Sequence, residues 1–497
     1  MWQDIDFSKL SALLLNYDEK NQLIFSSGLF LFLFLAFSCV YALLRKAHTA
    51  RLLFVTAFSY YFYYKSSGTY FQILAIVTCF DFVMAHGIYS SGKKWQRLLF
   101  VWLSVLVDMS FLVYFKYTNF FGTIWADITG GHFETLDIVL PVGISFFTFQ
   151  SLSYTIDVYR GKLKPLDSLL DYAFFVSFFP QLVAGPIVRA SDFIPQIHRK
   201  MIVTRETFGE GLFLIVAGLF KKAVICDYIS VNFVQRIFDN PSLYSGLENL
   251  LGIYGFALQI YCDFSGYSDM AIGIALLLGF NFPQNFNSPY KSASVAEFWH
   301  RWHISLSSWL RDYVYISLGG NRKGKFMTYV NLILTMLVGG LWHGASWNFV
   351  AWGAMHGFAL AAHRLWNNIM GFGKNHRYGW FLHAVCVVVT FHFVCLGWVF
   401  FRNTSFDNSL TMLGLIFSNF KPQIFWQLVQ GYWGVMSLML LGYLLHFVPD
   451  SWVERSQGAV IKMPLVAQAL LVVVVIYIVI QIKSSDVQPF IYFQFGC

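Results

Sequence analysis

A long run without charged side chains constrains this fold more than any other feature. From Phe326 to His363 the chain contains no Asp, Glu, Lys or Arg, yet His343 lies within the run. About 20 apolar residues suffice to cross a bilayer. An ionisable side chain at that depth is costly and marks a functional site by default. Because burial disfavours the charged form, we expect His343 to be a neutral imidazole that can accept a proton. Packing is the alternative role.

The whole chain shares this apolar character. Of its 497 residues 57% are hydrophobic and 12% are charged, whereas soluble proteins contain about 25% charged residues. Apolar segments follow one another with short polar breaks and no linker. We therefore predict an all-α polytopic membrane protein with one membrane-embedded domain over residues 1–497. Since several segments are shorter than a full span, re-entrant and interfacial helices are expected beside the crossings.

Loop charges predict an orientation. Basic clusters occur at 45–51, 93–97 and 160–164, whereas the loop 119–137 has no Lys or Arg and carries three acidic residues. Cytoplasmic loops of membrane proteins are enriched in Lys and Arg, so the loop 119–137 is expected on the extracytoplasmic side. The net charge of +8 has the same explanation, and we predict membrane lipid as a partner and no nucleic acid. A basic rim that docks an acidic partner is the alternative.

Two prolines interrupt the apolar segment 174–189. Pro180 and Pro186 flank a glycine, and basic residues lie on both sides of the segment. A broken segment that enters the membrane and returns explains both facts, but its backbone must then be buried or line a cavity. A proline-kinked span is the alternative.

An aromatic stripe runs through residues 297–313. Its members recur at intervals of three and four residues: Trp299, Trp302, Leu306, Trp309 and Tyr313. This spacing predicts one amphipathic helix that lies in the interface plane. His303 borders the apolar face of that helix, and this block alone favours a packing role for it.

Polar residues also punctuate the apolar region 259–280. Ser268 or Asp269 is expected to cap the start of a helix, and Asp263 ends the apolar run before it. Intramembrane carboxylates need partners, so we interpret Asp263 first as a capping or packing residue and second as a substrate contact.

Metal chemistry finds little support in the sequence. His356 and His363 share a helical face, but no carboxylate or Cys lies beside them and the HExxH pattern is absent. The seven Cys show neither CxxC nor zinc spacing. We predict no metal site, and the glycine-rich turn 318–325 lacks the spacing of a nucleotide-binding loop.

Three motifs together resemble the membrane-bound O-acyltransferase family. They are CDFSGYSD at 262–269, FWHRWHISL continuing to WLRDY at 298–313, and LWHGASWNF continuing to WGAMHG at 341–357. FFPQLVAGPI at 178–187 matches as well. The resemblance covers most of the chain and is strongest to the bacterial branch of alginate O-acetylation membrane subunits and teichoic-acid D-alanyl transferases.

The resemblance implies a fold and a set of site residues. The fold is a funnel of about eleven transmembrane helices. The family's near-invariant histidine falls on His343 and its second histidine on His303, which makes both catalytic candidates. Asp263, Trp299 and Trp342 are the candidates for substrate contact.

The resemblance also implies an activity. An acyl group, acetyl in the first place, would pass from a cytoplasmic thioester across the bacterial inner membrane to O-acylate an extracytoplasmic polysaccharide. The donor would be acetyl-CoA or an acyl carrier protein thioester, with no bound cofactor. A separate extracytoplasmic acyltransferase would receive the group.

Two other functions stay open at this point. Transfer of D-alanyl or another acyl group to an envelope polymer, lipid or protein is the first. A proton-coupled transporter is the second, since intramembrane His and Asp beside a broken helix suit one. The three motifs argue against the transporter.

The chain ends in an aromatic tail at 488–495. We interpret this tail as an interfacial anchor. A relay of the acyl group through the hydroxyl of Tyr492 is the alternative.

Overall fold

The computed structural model describes residues 7–19, 22–371 and 379–482. These residues are largely helical and include no β-strand, which confirms the all-α prediction. The first helices are α1 (Phe7–Leu15), α2 (Gly28–Leu43), α3 (His48–Ser67), α4 (Phe71–Ser90), α5 (Lys94–Leu112), α6 (Thr118–Thr129) and α7 (Ile144–Tyr159). Tyr492 and the aromatic tail lie outside the described residues.

The remaining helices form the middle and the C-terminal part of the chain. The middle contains α8 (Leu169–Ser177), α9 (Phe179–Leu182), α10 (Ala190–Ile197), α11 (Arg205–Leu219), α12 (Asp227–Ile229), α13 (Gln235–Asp239) and α14 (Gly246–Leu277). The C-terminal part contains α15 (Val295–Arg301), α16 (Ile304–Trp309), α17 (Gly324–His343), α18 (Trp347–Ile369), α19 (Trp380–Arg402), α20 (Phe406–Ser418), α21 (Phe425–Gly431), α22 (Trp433–Phe447), α23 (Asp450–Lys462) and α24 (Leu465–Ile482).

Long apolar helices make this a multi-pass membrane protein. Within the described residues, five stretches are long and apolar enough to cross a membrane: Gly28–Lys46, His48–Ser90, Lys94–Thr129, Gly324–His343 and Trp380–Arg402. Two sharply bent helix pairs near the C-terminus raise the number to seven if each is one span. The expected count of about eleven crossings is not confirmed.

The outer surface of these helices is apolar. Phe32, Leu43 and Trp380 are 76%, 83% and 84% exposed, respectively. Large side chains of this kind face lipid without cost, whereas in water a continuous surface of them would aggregate. The exposed faces are therefore the ones that contact the bilayer.

The central helix α14 runs without a break from Gly246 to Leu277. Its start is a capping box, in which the Ser245 hydroxyl accepts from the Glu248 amide and the Glu248 carboxylate accepts from the Ser245 amide at 2.7 Å. The expected helix start at Ser268 or Asp269 is therefore wrong. Those two residues lie in the third quarter of one long helix.

Helices α11 and α14 approach each other through glycine. A Cβ atom at Gly218 would lie 2.5 Å from the carbonyl oxygen of Gly266. A Cβ atom at Gly273 would lie 2.5 Å from the carbonyl oxygen of Gly211. Small residues allow such backbone contact between membrane helices, and they hold α14 at the centre of the bundle.

The segment 174–189 is broken just before Pro180 and again around Pro186. α8 ends at Ser177, α9 is a single turn, and helix resumes only with α10. The freed backbone is buried and satisfied by side chains, since the Phe179 amide donates to Ser59 Oγ at 3.1 Å and the Ile187 amide to Ser305 Oγ at 3.0 Å. This favours the broken segment over a kinked span.

Candidate functional site

His343 lies at the corner of a helical hairpin. α17 ends at His343 and α18 begins at Trp347, so the apolar run 326–363 forms two helices. A Cβ atom at Gly340 would lie 2.3 Å from the Phe349 carbonyl oxygen, and only glycine allows this approach. Close packing therefore places His343 inside the protein, where it is 3% exposed.

Aromatic rings enclose the His343 imidazole. Ring centroids of Trp342, Trp352 and Phe401 lie 4.9, 5.1 and 5.0 Å from that of His343, each at a steep interplanar angle. Such rings cover three sides of the imidazole. The fold therefore fixes the orientation of this side chain.

His303 is fully buried between two short helices. Its backbone adopts the left-handed conformation with φ of 43°, a rare state for a residue other than glycine. The helix expected over 297–313 is therefore wrong as one continuous element, because it breaks between α15 and α16. The aromatic stripe Trp299, Trp302, Leu306, Trp309 and Tyr313 packs inside the protein.

Asn285 orients the His303 ring. Its amide nitrogen donates to Ser268 Oγ at 3.1 Å, so its oxygen faces His303 Nδ1 at 3.2 Å and also accepts from the Ser305 hydroxyl at 2.9 Å. His303 Nδ1 then carries the hydrogen, and Nε2 is the basic nitrogen. Nε2 is buried without a hydrogen-bond partner among the described residues.

Trp342 lies between the two histidines. Its ring centroid is 4.9 Å from that of His343 and 6.1 Å from that of His303. Its indole nitrogen donates to the Ser145 carbonyl oxygen at 3.4 Å, which ties the hairpin to α7. The structure thus brings together three residues that the sequence singled out.

Trp299 reaches the same centre from another side. Its indole nitrogen donates to His356 Nδ1 at 3.3 Å. The His356 ring contacts Trp352 at 4.8 Å between centroids, and Trp352 contacts His343. A continuous chain of rings therefore links Trp299 to His343.

A large basic cavity opens beside Trp299. Its volume is about 1220 Å³, and it ends inside the protein at Met336 and Leu310. Its lining includes five Arg and His side chains: His300, Arg311, His363, Arg364 and His383. We call this the basic cavity.

A second cavity ends at His343. Its volume is about 600 Å³, and much of its wall is the loop 136–143 before α7. Lys116, Trp342 and His343 also line it. We call this the loop cavity.

A thin wall separates the two cavities. Met336 lines the basic cavity and His343 lines the loop cavity, and both belong to α17. Seven residues of helix correspond to about 10 Å at 1.5 Å per residue. His303 and Trp342 lie in this wall.

The chain is similar in sequence to known membrane acyltransferases. The chain is 43% identical over 401 residues to a probable alginate O-acetylase of Azotobacter vinelandii, covering 80% of this chain and 78% of that protein. The family model for MBOAT, the membrane-bound O-acyltransferase family, matches residues 161–401. This chain belongs to the membrane-bound O-acyltransferase family. It is an acyltransferase, and both histidines lie within the matched region.

Other relatives of this O-acyltransferase act on different polymers. A peptidoglycan O-acetyltransferase of Helicobacter pylori is 37% identical over 422 residues, which is 79% of each chain. A teichoic acid D-alanyltransferase of Bacillus subtilis is 29% identical over 298 residues, which is 56% of this chain and 72% of that protein.

Asp263 has a cationic partner, and no contact with either histidine is needed to explain its burial. Its carboxylate lies 2.6 Å from Lys222 Nζ, which also lies 2.9 Å from Asp227. Cys226, Asp227 and Asp263 form the one group of three metal-ligand types found in the described part of the chain. Because the Lys222 ammonium already supplies the positive charge there, this group does not fit a metal site, and an ion-pairing role for Asp263 is favoured over substrate contact.

An ion pair fixes the rim of the basic cavity in this O-acyltransferase. Arg189 Nη1 and Arg311 Nε each lie 2.6 Å from an Asp312 carboxylate oxygen. Burial by itself would raise the pKa of Asp312, but hydrogen bonds from Arg311 and Arg189 outweigh burial and hold that pKa below its usual value. The charged carboxylate thus joins the turn after α16 to the broken segment.

Sequence reasoning missed two residues beside the histidines. Lys116 was a detectable signal, because it is a lone cation inside an apolar segment. Asn285 was not detectable, because it lies in an irregular loop and its partners are distant in the chain.

Proposed function

We propose that this O-acyltransferase moves an acyl group, acetyl in the first place, from a cytoplasmic thioester across the inner membrane for O-acylation of an extracytoplasmic polysaccharide. The observation that carries the proposal is the wall between the basic cavity and the loop cavity, with His303, Trp342 and His343 in it. A donor and an acceptor could reach this wall from opposite sides.

The charges of the loops support this orientation. α17 follows the basic turn 318–325, and cytoplasmic loops are enriched in Lys and Arg. The loop 136–143 follows an acidic loop without Lys or Arg. The basic cavity is accordingly assigned to the cytoplasmic side and the loop cavity to the extracytoplasmic side.

The lining of the basic cavity suits a phosphate-bearing donor. Acetyl-CoA and acyl carrier proteins both present their thioester on an arm attached to phosphate. Arg364 lines the cavity, and a guanidinium group binds phosphate through paired hydrogen bonds. Arg311 also lines the cavity, although its Nε and Nη2 donate to Asp312. We propose that the arm enters here and delivers the thioester to the wall.

The two histidines suit acyl transfer chemically. A hydroxyl attacks a thioester carbonyl poorly until a base removes its proton. His343 is assigned as this base, and His303 assists from within the wall through its basic Nε2. The new C–O bond forms, the C–S bond breaks, and the thiolate takes up the proton. General base catalysis contributes about 10²–10⁴-fold.

The acceptor is proposed from the relatives. The names of the Azotobacter and Helicobacter proteins specify alginate and peptidoglycan, so a polysaccharide hydroxyl is the first choice. A separate extracytoplasmic acyltransferase would complete the transfer. Transfer of D-alanyl to an envelope polymer is the second candidate, and it is favoured by the likeness to the Bacillus protein.

Replacement of His343 tests the proposal. Membranes that contain the chain or its His343→Ala variant are incubated with radiolabelled acetyl-CoA, and acyl transfer to protein, lipid and glycan fractions is counted. We expect at least about a 10²-fold loss in the variant, because the base is gone. A matched His392→Ala variant changes an exposed histidine outside the wall and should retain activity.

Two results would contradict the assignment. His343→Ala membranes with undiminished transfer would exclude this histidine as the base. Membranes of the parent chain that move protons or solute but transfer no acyl group from any thioester would favour the transporter instead.

A further inference from the structure

Side chains of a turn between α5 and α6 donate hydrogen bonds to the end of α17. Residues Val113–Tyr117 form a π-helical turn, a distortion that is frequent at functional sites. From it, Lys116 Nζ donates to the Trp342 carbonyl oxygen at 2.5 Å and Tyr117 donates to the Leu341 carbonyl oxygen at 2.6 Å. Carbonyl groups in a last helical turn have no partner within the helix. Both bonds therefore fix the turn that carries His343.

Lys116 also brings charge to the loop cavity. Its side chain lines that cavity together with His343, and no other Lys or Arg does so among the described residues. Nζ lies 5.9 Å from the centre of the Trp342 ring, which adds a cation–π attraction. When protonated, the amine carries three hydrogens, of which one is used on Trp342 and two are left for a ligand in the cavity.

Acyl transfer at this place would need such a cation. When a hydroxyl adds to the thioester carbonyl, the carbonyl electron pair moves onto oxygen and a negative charge forms there. In an apolar wall this charge is costly unless a fixed donor meets it. His343 takes the proton from the hydroxyl, so a different group must stabilise the oxygen.

We propose that Lys116 is a catalytic residue that stabilises this oxyanion, and that Tyr117 positions it and the His343 turn. The inference rests on the proposed function, because it assigns a role within the same acyl transfer. This role requires the protonated amine of Lys116, which gives up no proton in the reaction. The oxyanion returns its electron pair to carbon as the C–S bond breaks, and the thiolate takes its proton from His343.

Substitution of Lys116 tests the inference. With radiolabelled acetyl-CoA as the probe, we expect Lys116→Met to lower kcat by about 10²–10³-fold, the usual cost of removing one oxyanion donor. The KM for the donor should stay unchanged, because the donor binds in the other cavity. Lys116→Arg keeps the charge and should retain more activity than Lys116→Met.

Chemical rescue distinguishes the loss of the positive charge at position 116 from a loss of folded protein. A Lys116→Cys variant should be as inactive as Lys116→Met and should regain activity when 2-bromoethylamine converts its thiol to an aminoethyl cysteine, with the modification confirmed by mass spectrometry. The parent chain receives the same reagent as a control. Lys65→Met is the matched variant, because Lys65 is also a buried lysine that donates to a backbone carbonyl group, at Leu13 O, and it does not line the loop cavity. It should keep parental activity per folded molecule.

The outcomes are distinguishable. Lys116→Met with parental kcat, or a fully modified Lys116→Cys that stays inactive, would overturn the inference while the His343 result leaves the proposed function standing. Absence of acyl transfer in the parent chain itself would overturn both.

Discussion

At the scale of single residues, His303 combines a strained backbone conformation with a set of buried hydrogen bonds. Its left-handed backbone, with φ of 43°, costs roughly 1–2 kcal/mol for an ordinary L-residue. The hydrogen bonds around Asn285 offset this cost and hold Nε2 as the basic nitrogen. Because of the strained conformation, the imidazole points into the wall and does not lie on a helix surface.

We predict that His303→Asn keeps the fold and loses the chemistry. Asn adopts the left-handed conformation more readily than other residues with a Cβ atom, so thermal unfolding in detergent should stay near the parental midpoint. It has no imidazole, so acyl transfer should fall by about 10²-fold. His303→Ala is the contrast, because alanine also disfavours the left-handed backbone conformation. This variant should unfold at a lower temperature. Parental activity in His303→Asn would remove His303 from the reaction.

The sequence could single out the two histidines but not the contacts that support them. His303 and His343 belong to short motifs, and each motif can be read from neighbouring residues alone. Asn285 and Lys116 contribute through partners that lie 18 and 226 positions away. Contacts at such separations depend on how the helices pack, which a local pattern does not contain.

At the scale of helices, glycine sets the distance between α17 and α18. A Cβ atom at Gly353 would lie 2.6 Å from the Met336 carbonyl oxygen, and one at Gly340 would lie 2.3 Å from that of Phe349. The two backbones are in contact, so the corner at His343 has no room to shift. The position of the candidate base therefore depends on these two glycines.

Gly340→Ala is expected to destabilise the protein although alanine favours helix. The added methyl group meets backbone, which cannot move aside as a flexible side chain can, and overpacking of this kind costs about 1–3 kcal/mol. Gly414→Ala is the matched variant in α20, where a Cβ atom meets nothing within 4 Å. Thermal unfolding in detergent should show a lower midpoint for Gly340→Ala alone. Equal midpoints would show that the hairpin can relax.

The predicted helix boundaries were wrong at two places where buried polar groups determine the backbone conformation. α14 continues through Asp263 because Lys222 compensates the carboxylate, so no helix start is needed near Ser268. The stripe 297–313 breaks at His303 although its spacing is helical throughout, because Asn285 binds both the ring and the Ser305 backbone. In both places a distant partner outweighs the local pattern.

At the scale of the whole molecule, the basic cavity and the loop cavity are separate and do not form one continuous pore within the part of the chain that the structure describes. The basic cavity and the loop cavity end on α17 about 10 Å apart, and rings of Trp299, Trp342 and Trp352 occupy the space between them. Under the proposed function, an acyl group on a flexible arm would reach His343 in this wall. A transporter would instead need a site open to each side in turn.

Cysteine labelling from each side of the membrane would test this arrangement. Ser308→Cys places a thiol in the basic cavity and Ala345→Cys places one in the loop cavity, both with small changes in volume. A membrane-impermeant maleimide added to intact cells, with the outer membrane opened, should label Ala345→Cys above the parent chain. Ser308→Cys should react only when the inner membrane is permeabilised. If both thiols reacted from outside, both cavities would open to one side, and donor and acceptor would have to share an entrance.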